Sequence, residues 1–161
     1  MEDMRALAAA TRQQLAAAQA QLASIWRQNQ HSRELLANRA ALVDGILREL
    51  WIALDLPTDM ALVAVGGYGR GALYPASDVD FLILQPQPTG DATLAPPVDE
   101  AAAHEEKIAA LVGLLWDIGL DIGHSVRTVS ECLTESARDI TIQTSLLEAR
   151  YLIGDASLYE T

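Results

Sequence analysis

Two aspartates separated by one apolar residue, Asp78-Val79-Asp80, follow a stretch with four glycines in six positions, Gly66-Gly67-Tyr68-Gly69-Arg70-Gly71. Side chains alternate faces along a strand, so Asp78 and Asp80 project together, about 6 to 7 Å apart at Cα, while Val79 and Phe81 face the opposite layer. Two carboxylates so placed suit hard divalent cations such as Mg²⁺ or Mn²⁺, which take oxygen ligands and are commonly held by one or two carboxylates together with phosphate oxygens. The glycines offer the complementary half, because main-chain N–H groups approach phosphate oxygens closely where no Cβ intervenes. Gly66, Gly67, Gly69 and Gly71 therefore read as a phosphate cradle, Arg70 as a forked phosphate donor within it, and Ser77 as a residue that orients Asp78 through a local turn hydrogen bond. The stretch lacks the Lys-Ser/Thr ending of a P-loop and the spacing of a dinucleotide fingerprint, which excludes both of those readings. The combination suits a nucleoside triphosphate held through a divalent cation.

The chain around these residues has 161 positions, enough for one domain with a helical appendage. Half of its residues are hydrophobic and a fifth are charged, which places it among folded globular chains rather than disordered or fibrous ones. Eleven Lys plus Arg against 22 Asp plus Glu give a net charge of −11, which repels a phosphate backbone and argues against nucleic-acid binding. The single cysteine, Cys132, cannot form an internal disulfide and no Cys/His cluster has zinc spacing, so a reducing cytoplasm is the expected setting. The N-terminus lacks the basic start and apolar stretch of a signal peptide, and no apolar run approaches the ~18 residues needed to span a bilayer.

The elements that must position the site follow from periodicity. Residues 1–54 read as helix, broken near residues 29–32 with Ser32 as a cap, and form a helical pair; Leu15, Leu22, Ile25 and Trp26 make one stripe and Leu42 to Trp51 another. Ala61 to Val65 reads as a buried strand, Asp78 to Leu84 as a second, and the proline-rich residues 85–98 as a surface loop. Asp99 to Ile118 reads as a helix with Ile108, Leu111, Leu115 and Ile118 on one face and Gly119 as its stop. A third strand is expected over 121–129, a short helix capped by Ser130, a helix from Thr141 to Ile153 ended by Gly154, and the start of another from Asp155. Trp26, Trp51 and Trp116 read as core, Cys132 as a small buried hydrophobe, and Glu105-Glu106 as a solvated face.

The residues between 61 and 155 carry a resemblance. Gly66-Gly67, ten intervening residues and Asp78-Val79-Asp80-Phe81 resemble the signature of polymerase-β-type nucleotidyltransferases. The longer strings Gly-Gly-Tyr-Gly-Arg-Gly, Ser-Asp-Val-Asp, residues 114–128 and residues 144–150 resemble the N-terminal domain of the bacterial protein-PII uridylyltransferases. The resemblance implies a multifunctional enzyme of nitrogen regulation, whose N-terminal domain moves UMP from UTP onto a tyrosine of the PII signalling protein with Mg²⁺ or Mn²⁺. Family members are far longer and add an HD phosphohydrolase domain and two ACT domains. With only His31, His104 and His124, and with Glu105 following His104, these 161 residues are expected to assemble no HD site, and glutamine sensing is expected to be absent from them too.

The expected fold is α/β, a small mixed sheet of the polymerase-β type with flanking helices: residues 1–56 form an N-terminal helical segment and 57–161 the nucleotidyltransferase domain. Asp78 and Asp80 are expected at one exposed end, with helices on the other face. The superfamily usually adds a third carboxylate on a neighbouring strand. If 121–129 is a strand, Asp121, Ser125 and Arg127 share one face, which makes Asp121 the first candidate, ahead of Glu131 and Asp139, and Arg127 a phosphate or pyrophosphate ligand. His124 falls on the apolar face and is left outside the site.

Overall fold

A computed structural model describes residues 2–29, 32–75, 77–87 and 98–160 of the chain. Two long helices, α1 (Glu2–Asn29) and α2 (Ser32–Ala53), lead into β1 (Ala61–Ala64), a single helical turn α3 (Gly66–Gly69) and β2 (Val79–Leu84). Helix α4 (Val98–Asp117) crosses to β3 (Ile122–Arg127), and α5 (Val129–Ser136), α6 (Ile140–Leu147), β4 (Arg150–Gly154) and α7 (Ala156–Tyr159) complete the order. The four strands form one sheet in the order β3-β2-β1-β4. β1 is antiparallel to β2 and β4, while β2 and β3 run parallel, the pairing that a helical crossover such as α4 permits.

β1 is buried at all four positions and β2 at every position but Asp80, so both faces of the sheet need cover. One face packs Leu62, Phe81 and Ile83 against Ile46 and Leu50 of α2 and Leu111 and Leu115 of α4. The other packs Val63, Leu82 and Leu84 against Cys132 of α5, Leu146 of α6 and Leu158 of α7. Helices therefore cover both faces, not one as the sequence suggested, because the residues flanking Asp80 along its own face are leucine and valine.

The N-terminal pair contributes unequally. Val43, Ile46, Leu47, Leu50 and Trp51 of α2 lie in the same core as the strands, whereas α1 adds Ala8 and Leu15. Leu22 and Ile25 of the expected α1 stripe are half-buried, and the side chain of Trp26 lies outside the described residues. Trp116, expected in the core, is 59% exposed: it follows Leu114 and Leu115, which already occupy the buried face of α4, and so turns outward.

Two expectations for the C-terminal third are corrected. The helix expected to run from Thr141 to Ile153 stops at Leu147, and residues 150–154 pair with β1 instead. The dense apolar run from Leu146 to Ile153 fits either period, and an otherwise unpaired edge of β1 decides in favour of strand. A bulge between Leu62 and Val63 in that pairing brings both Leu152 and Ile153 to the α2 side, while Tyr151 packs on the other. The cap of α5 is Thr128 rather than Ser130: the Thr128 hydroxyl accepts the Glu131 amide, and the Glu131 carboxylate accepts the Thr128 amide at 2.8 Å. Replacing Thr128 by Ala is expected to lower unfolding free energy by about 1 kcal/mol. Ser130→Ala should change it by less than about 0.5 kcal/mol, both read from urea denaturation.

Candidate active site

The chain leaves β1 at Val65, whose amide donates to the Asp80 carbonyl at 3.0 Å and so fixes the glycine turn alongside the start of β2. Gly66 has φ of +57°, a left-handed conformation that disfavours side chains. A Cβ there would lie 3.4 Å from the Ser145 hydroxyl oxygen and 3.6 Å from Oδ2 of Asp80, so the turn, the β2 carboxylate and α6 converge at this point. Gly69 packs against the main chain, since a Cβ there would stand 2.0 Å from the Glu148 carbonyl oxygen.

The glycines do not contribute equally as donors. The amides of Gly69, Arg70 and Gly71 are taken by the carbonyls of Val65, Gly66 and Tyr68. Those of Gly66, Gly67 and Tyr68 open the helical turn, where N–H groups have no intrahelical acceptor. The available donors are thus the first three residues of the turn, and Gly69 and Gly71 supply its shape. A helical turn follows β1 directly, built from the glycines themselves rather than after them.

Asp78 is exposed just before β2, and Asp80 sits inside the strand, partly withdrawn from water. Burial first, and the neighbouring Asp78 charge second, push the Asp80 carboxyl above its ordinary range. Its carboxylate has no hydrogen bond or ion pair among the described residues. Oδ1 overhangs Gly123, its register partner on β3, so closely that a Cβ on residue 123 would stand 2.2 Å away. Beside it opens a cavity of about 300 Å³, lined by Asp80, Gly123, Ser125 and Arg127 and, across from the sheet, Thr141 and Ser145 of α6. Arg127 lines this cavity, and its guanidinium has no hydrogen-bond or ion-pair partner among the described residues.

The remaining expected site residues are dispersed. Arg70 stands beside the turn and is paired with Glu148 at 2.6 Å. The Ser77 hydroxyl makes no hydrogen bond to Asp78; the residue instead closes a turn through its amide to the Tyr74 carbonyl at 3.1 Å. Asp121 is exposed immediately before β3, where its backbone carbonyl accepts the Val79 amide at 2.8 Å. Glu131 is engaged in the cap of α5, and Asp139 caps α6 by accepting the Thr141 amide and hydroxyl, which hold its carboxyl below the usual range. Among the described residues no third His, Cys, Asp or Glu joins Asp78 and Asp80 in a group that could hold a metal ion. His124, expected outside the site, is exposed on β3, stacked on Phe81 with ring centroids 5.9 Å apart, and also borders the cavity.

Thr141 and Ser145 are the cavity residues that sequence reasoning missed. The signal was present as spacing, since residues four apart on a helix share a face. It was masked by reading the whole of 141–153 as one packing helix.

Residues 45–146 match the family described as Nucleotidyltransferase domain, and the chain belongs to that family. It is 50% identical over 153 residues to a bifunctional uridylyltransferase/uridylyl-removing enzyme of Nitrosospira multiformis, which covers 94% of this chain and 16% of that protein. Proteins of the same name from Cupriavidus metallidurans, 50% identical over 133 residues, and Chromobacterium violaceum, 48% identical over 145, are similar over 83% and 90% of the chain and 14% and 16% of their own lengths. The chain thus corresponds to about one-sixth of these relatives.

The raised pKa of Asp80 carries a stability consequence with a definite sign. A carboxyl whose folded pKa lies above its unfolded value binds protons more readily when folded, so its ionised form opposes folding at neutral pH. That opposition fades as pH falls through the folded pKa and is gone below the unfolded one. Without added metal, Asp80→Asn is therefore expected to raise the melting temperature slightly at pH 7 and to lose that advantage at pH 3. A lowered midpoint at pH 7 would contradict this reading of the environment.

Proposed function

We propose that this chain transfers UMP from UTP to a tyrosine hydroxyl of the PII nitrogen-signalling protein in the cytoplasm, with release of pyrophosphate. The observation that carries the reading is the Asp80 carboxylate: half-withdrawn from water, beside a second carboxylate, unpaired among the described residues, and facing the open end of a glycine turn. The name of the relatives supplies the uridylyl group. The transferring half of that name is the part we assign to these residues, with 57–161 as the nucleotidyltransferase domain and the N-terminal helices as its brace.

The donor set fits a divalent cation. Two hard carboxylate oxygens with no cationic side chain paired to either among the described residues leave a negative site that Mg²⁺ or Mn²⁺ satisfies, and Asp78 and Asp80 would hold the ion. Bound there, the ion would neutralise triphosphate charge and polarise the α-phosphoryl group. The chain's own residues do the rest. The amides of Gly66, Gly67 and Tyr68 receive phosphate oxygens, aided by Arg70 beside the turn; Gly69 and Gly71 hold the turn's shape. Arg127, unpaired in the cavity wall, receives the departing pyrophosphate. The acceptor's tyrosine oxygen attacks the α-phosphorus, a new P–O bond forms, and the bond to the bridging oxygen breaks with its electrons on pyrophosphate. The phenolic proton passes to Asp121 at the edge of β3 or to solvent. Positioning and charge neutralisation supply most of the rate.

The absence of a third carboxylate beside Asp78 and Asp80 among the described residues favours a second reading, a domain that binds nucleotide without turnover. One experiment separates the two. Labelled UTP, purified PII and Mg²⁺ or Mn²⁺ are incubated with the wild-type chain and with the Asp78→Asn/Asp80→Asn double variant. Metal-dependent labelling of PII that falls by at least about 10³-fold in the variant is the expected result. UTP binding without labelling would favour the second reading, and absence of UTP binding would overturn both.

A further inference from the structure

The residues that hold the glycine turn in place are not those that face the nucleotide. Asp44, on α2, is buried, and so is the ring of Tyr68, the one residue of α3 that is not glycine. The Tyr68 hydroxyl donates to Oδ1 of Asp44 at 2.5 Å. Arg150, the first residue of β4, donates to both carboxylate oxygens of the same aspartate, at 2.6 and 3.0 Å. Its remaining donors turn to the main chain of the glycine turn, Nε to the Gly69 carbonyl at 3.2 Å and Nη2 to the Tyr68 carbonyl at 3.4 Å, and its guanidinium carbon lies 5.5 Å from the Tyr68 ring centre. One planar fork thus ties three elements together: α2 through a carboxylate, the turn through two carbonyls, and β4 through its own backbone.

We propose that Asp44 and Arg150 are positioning residues for nucleotide binding: they set the conformation of the turn from behind, so that its free amides stay aimed at the triphosphate. The inference rests on the nucleotidyltransferase reading above. Three features support it beyond ordinary packing. The anchors are the carbonyls of Tyr68 and Gly69, at the end of the same single helical turn whose first three amides are the available donors, so a shift of that end is carried along the turn to them. Gly69 permits no slack, because the Glu148 carbonyl of the adjoining segment already stands where its Cβ would be. Burial and the Asp44 carboxylate hold the Tyr68 hydroxyl protonated far above its usual range, while the bond to Asp44 also holds the Arg150 guanidinium charged.

Lysine in place of Arg150 keeps the charge beside Asp44 but cannot serve a carboxylate and two carbonyls in one plane. The test compares the wild-type chain with Arg150→Lys and Tyr68→Phe, measuring UTP affinity by calorimetry with Mg²⁺ and KM and kcat for UMP transfer to PII. The expected result is a rise of at least about ten-fold in both the UTP Kd and the KM for Arg150→Lys, with kcat changed by less than about three-fold. Tyr68→Phe, which keeps Arg150 and removes one anchor, should show the same direction at about three-fold. A purely structural role would lower the folded, active fraction, and so the apparent kcat, while leaving KM and Kd untouched. That pattern overturns the proposal, as does unchanged affinity in both variants. Should Arg150→Lys fail to fold, Tyr68→Phe decides alone. Failure of the wild-type chain to bind UTP would overturn the functional reading itself, a result distinct from wild-type binding that the variants match.

Discussion

The structure is organised around a carboxylate that has no counter-ion among the described residues. Asp80 is held in the middle of a sheet whose neighbouring positions are buried leucine, valine and phenylalanine, and burial together with Asp78 makes its ionised form unfavourable. A protein optimised for stability alone would place a neutral residue there. The energy lost at Asp80 is recovered by apolar burial on both faces, with α2 and α4 on one side and α5, α6 and α7 on the other. The sheet can therefore hold the charge rigidly while leaving it chemically unsatisfied, which is what a site for a cation and a polyanion requires.

The surroundings of Asp80 follow from the same need for unsatisfied groups in fixed places. Position 123, its partner across β3, is glycine, and the Asp80 carboxylate occupies the space that a side chain there would take. The turn after β1 is short enough that half of its amides lack acceptors, and Arg127 stands in the cavity wall with no acidic partner among the described residues. Several cations elsewhere are paired. Arg150 is bound to Asp44, Arg70 to Glu148 and Lys107 to Asp55. In a chain of net charge −11, Arg127 and Asp80, lining one cavity and each without an ion-pair partner among the described residues, offer opposite charges to a ligand.

What could be read from the sequence was what is local. The Asp-Val-Asp pair, the glycine cluster and the two apolar strands lie within 24 consecutive residues, 61–84, and their alternation alone places Asp80 on one face and Val79 and Phe81 on the other. β3 was legible for the same reason, since Ile122 and Val126 pack with the α2 and α4 face as their parity requires. What could not be read depends on partners distant along the chain. Residues 150–154 are a strand because β1 has a free edge, and nothing between Leu146 and Ile153 announces that edge. Asp44 and Arg150 are 106 positions apart, and although Arg150 closes the 144–150 string, nothing in the sequence pairs it with Asp44. Trp116 turned outward because the helix face beside it was already filled.

In the proposed function Asp78 and Asp80 would hold a divalent cation, and the glycine turn would hold the triphosphate of the nucleotide. The most direct measurement is a crystal structure of the chain with UTP and Mn²⁺, in which anomalous scattering locates the metal independently of the surrounding density. The account predicts a manganese peak within coordination distance of the Asp78 and Asp80 carboxylates and of the triphosphate, with phosphate oxygens on the amides of Gly66, Gly67 or Tyr68. A peak elsewhere, or a nucleotide bound away from the turn, would contradict it.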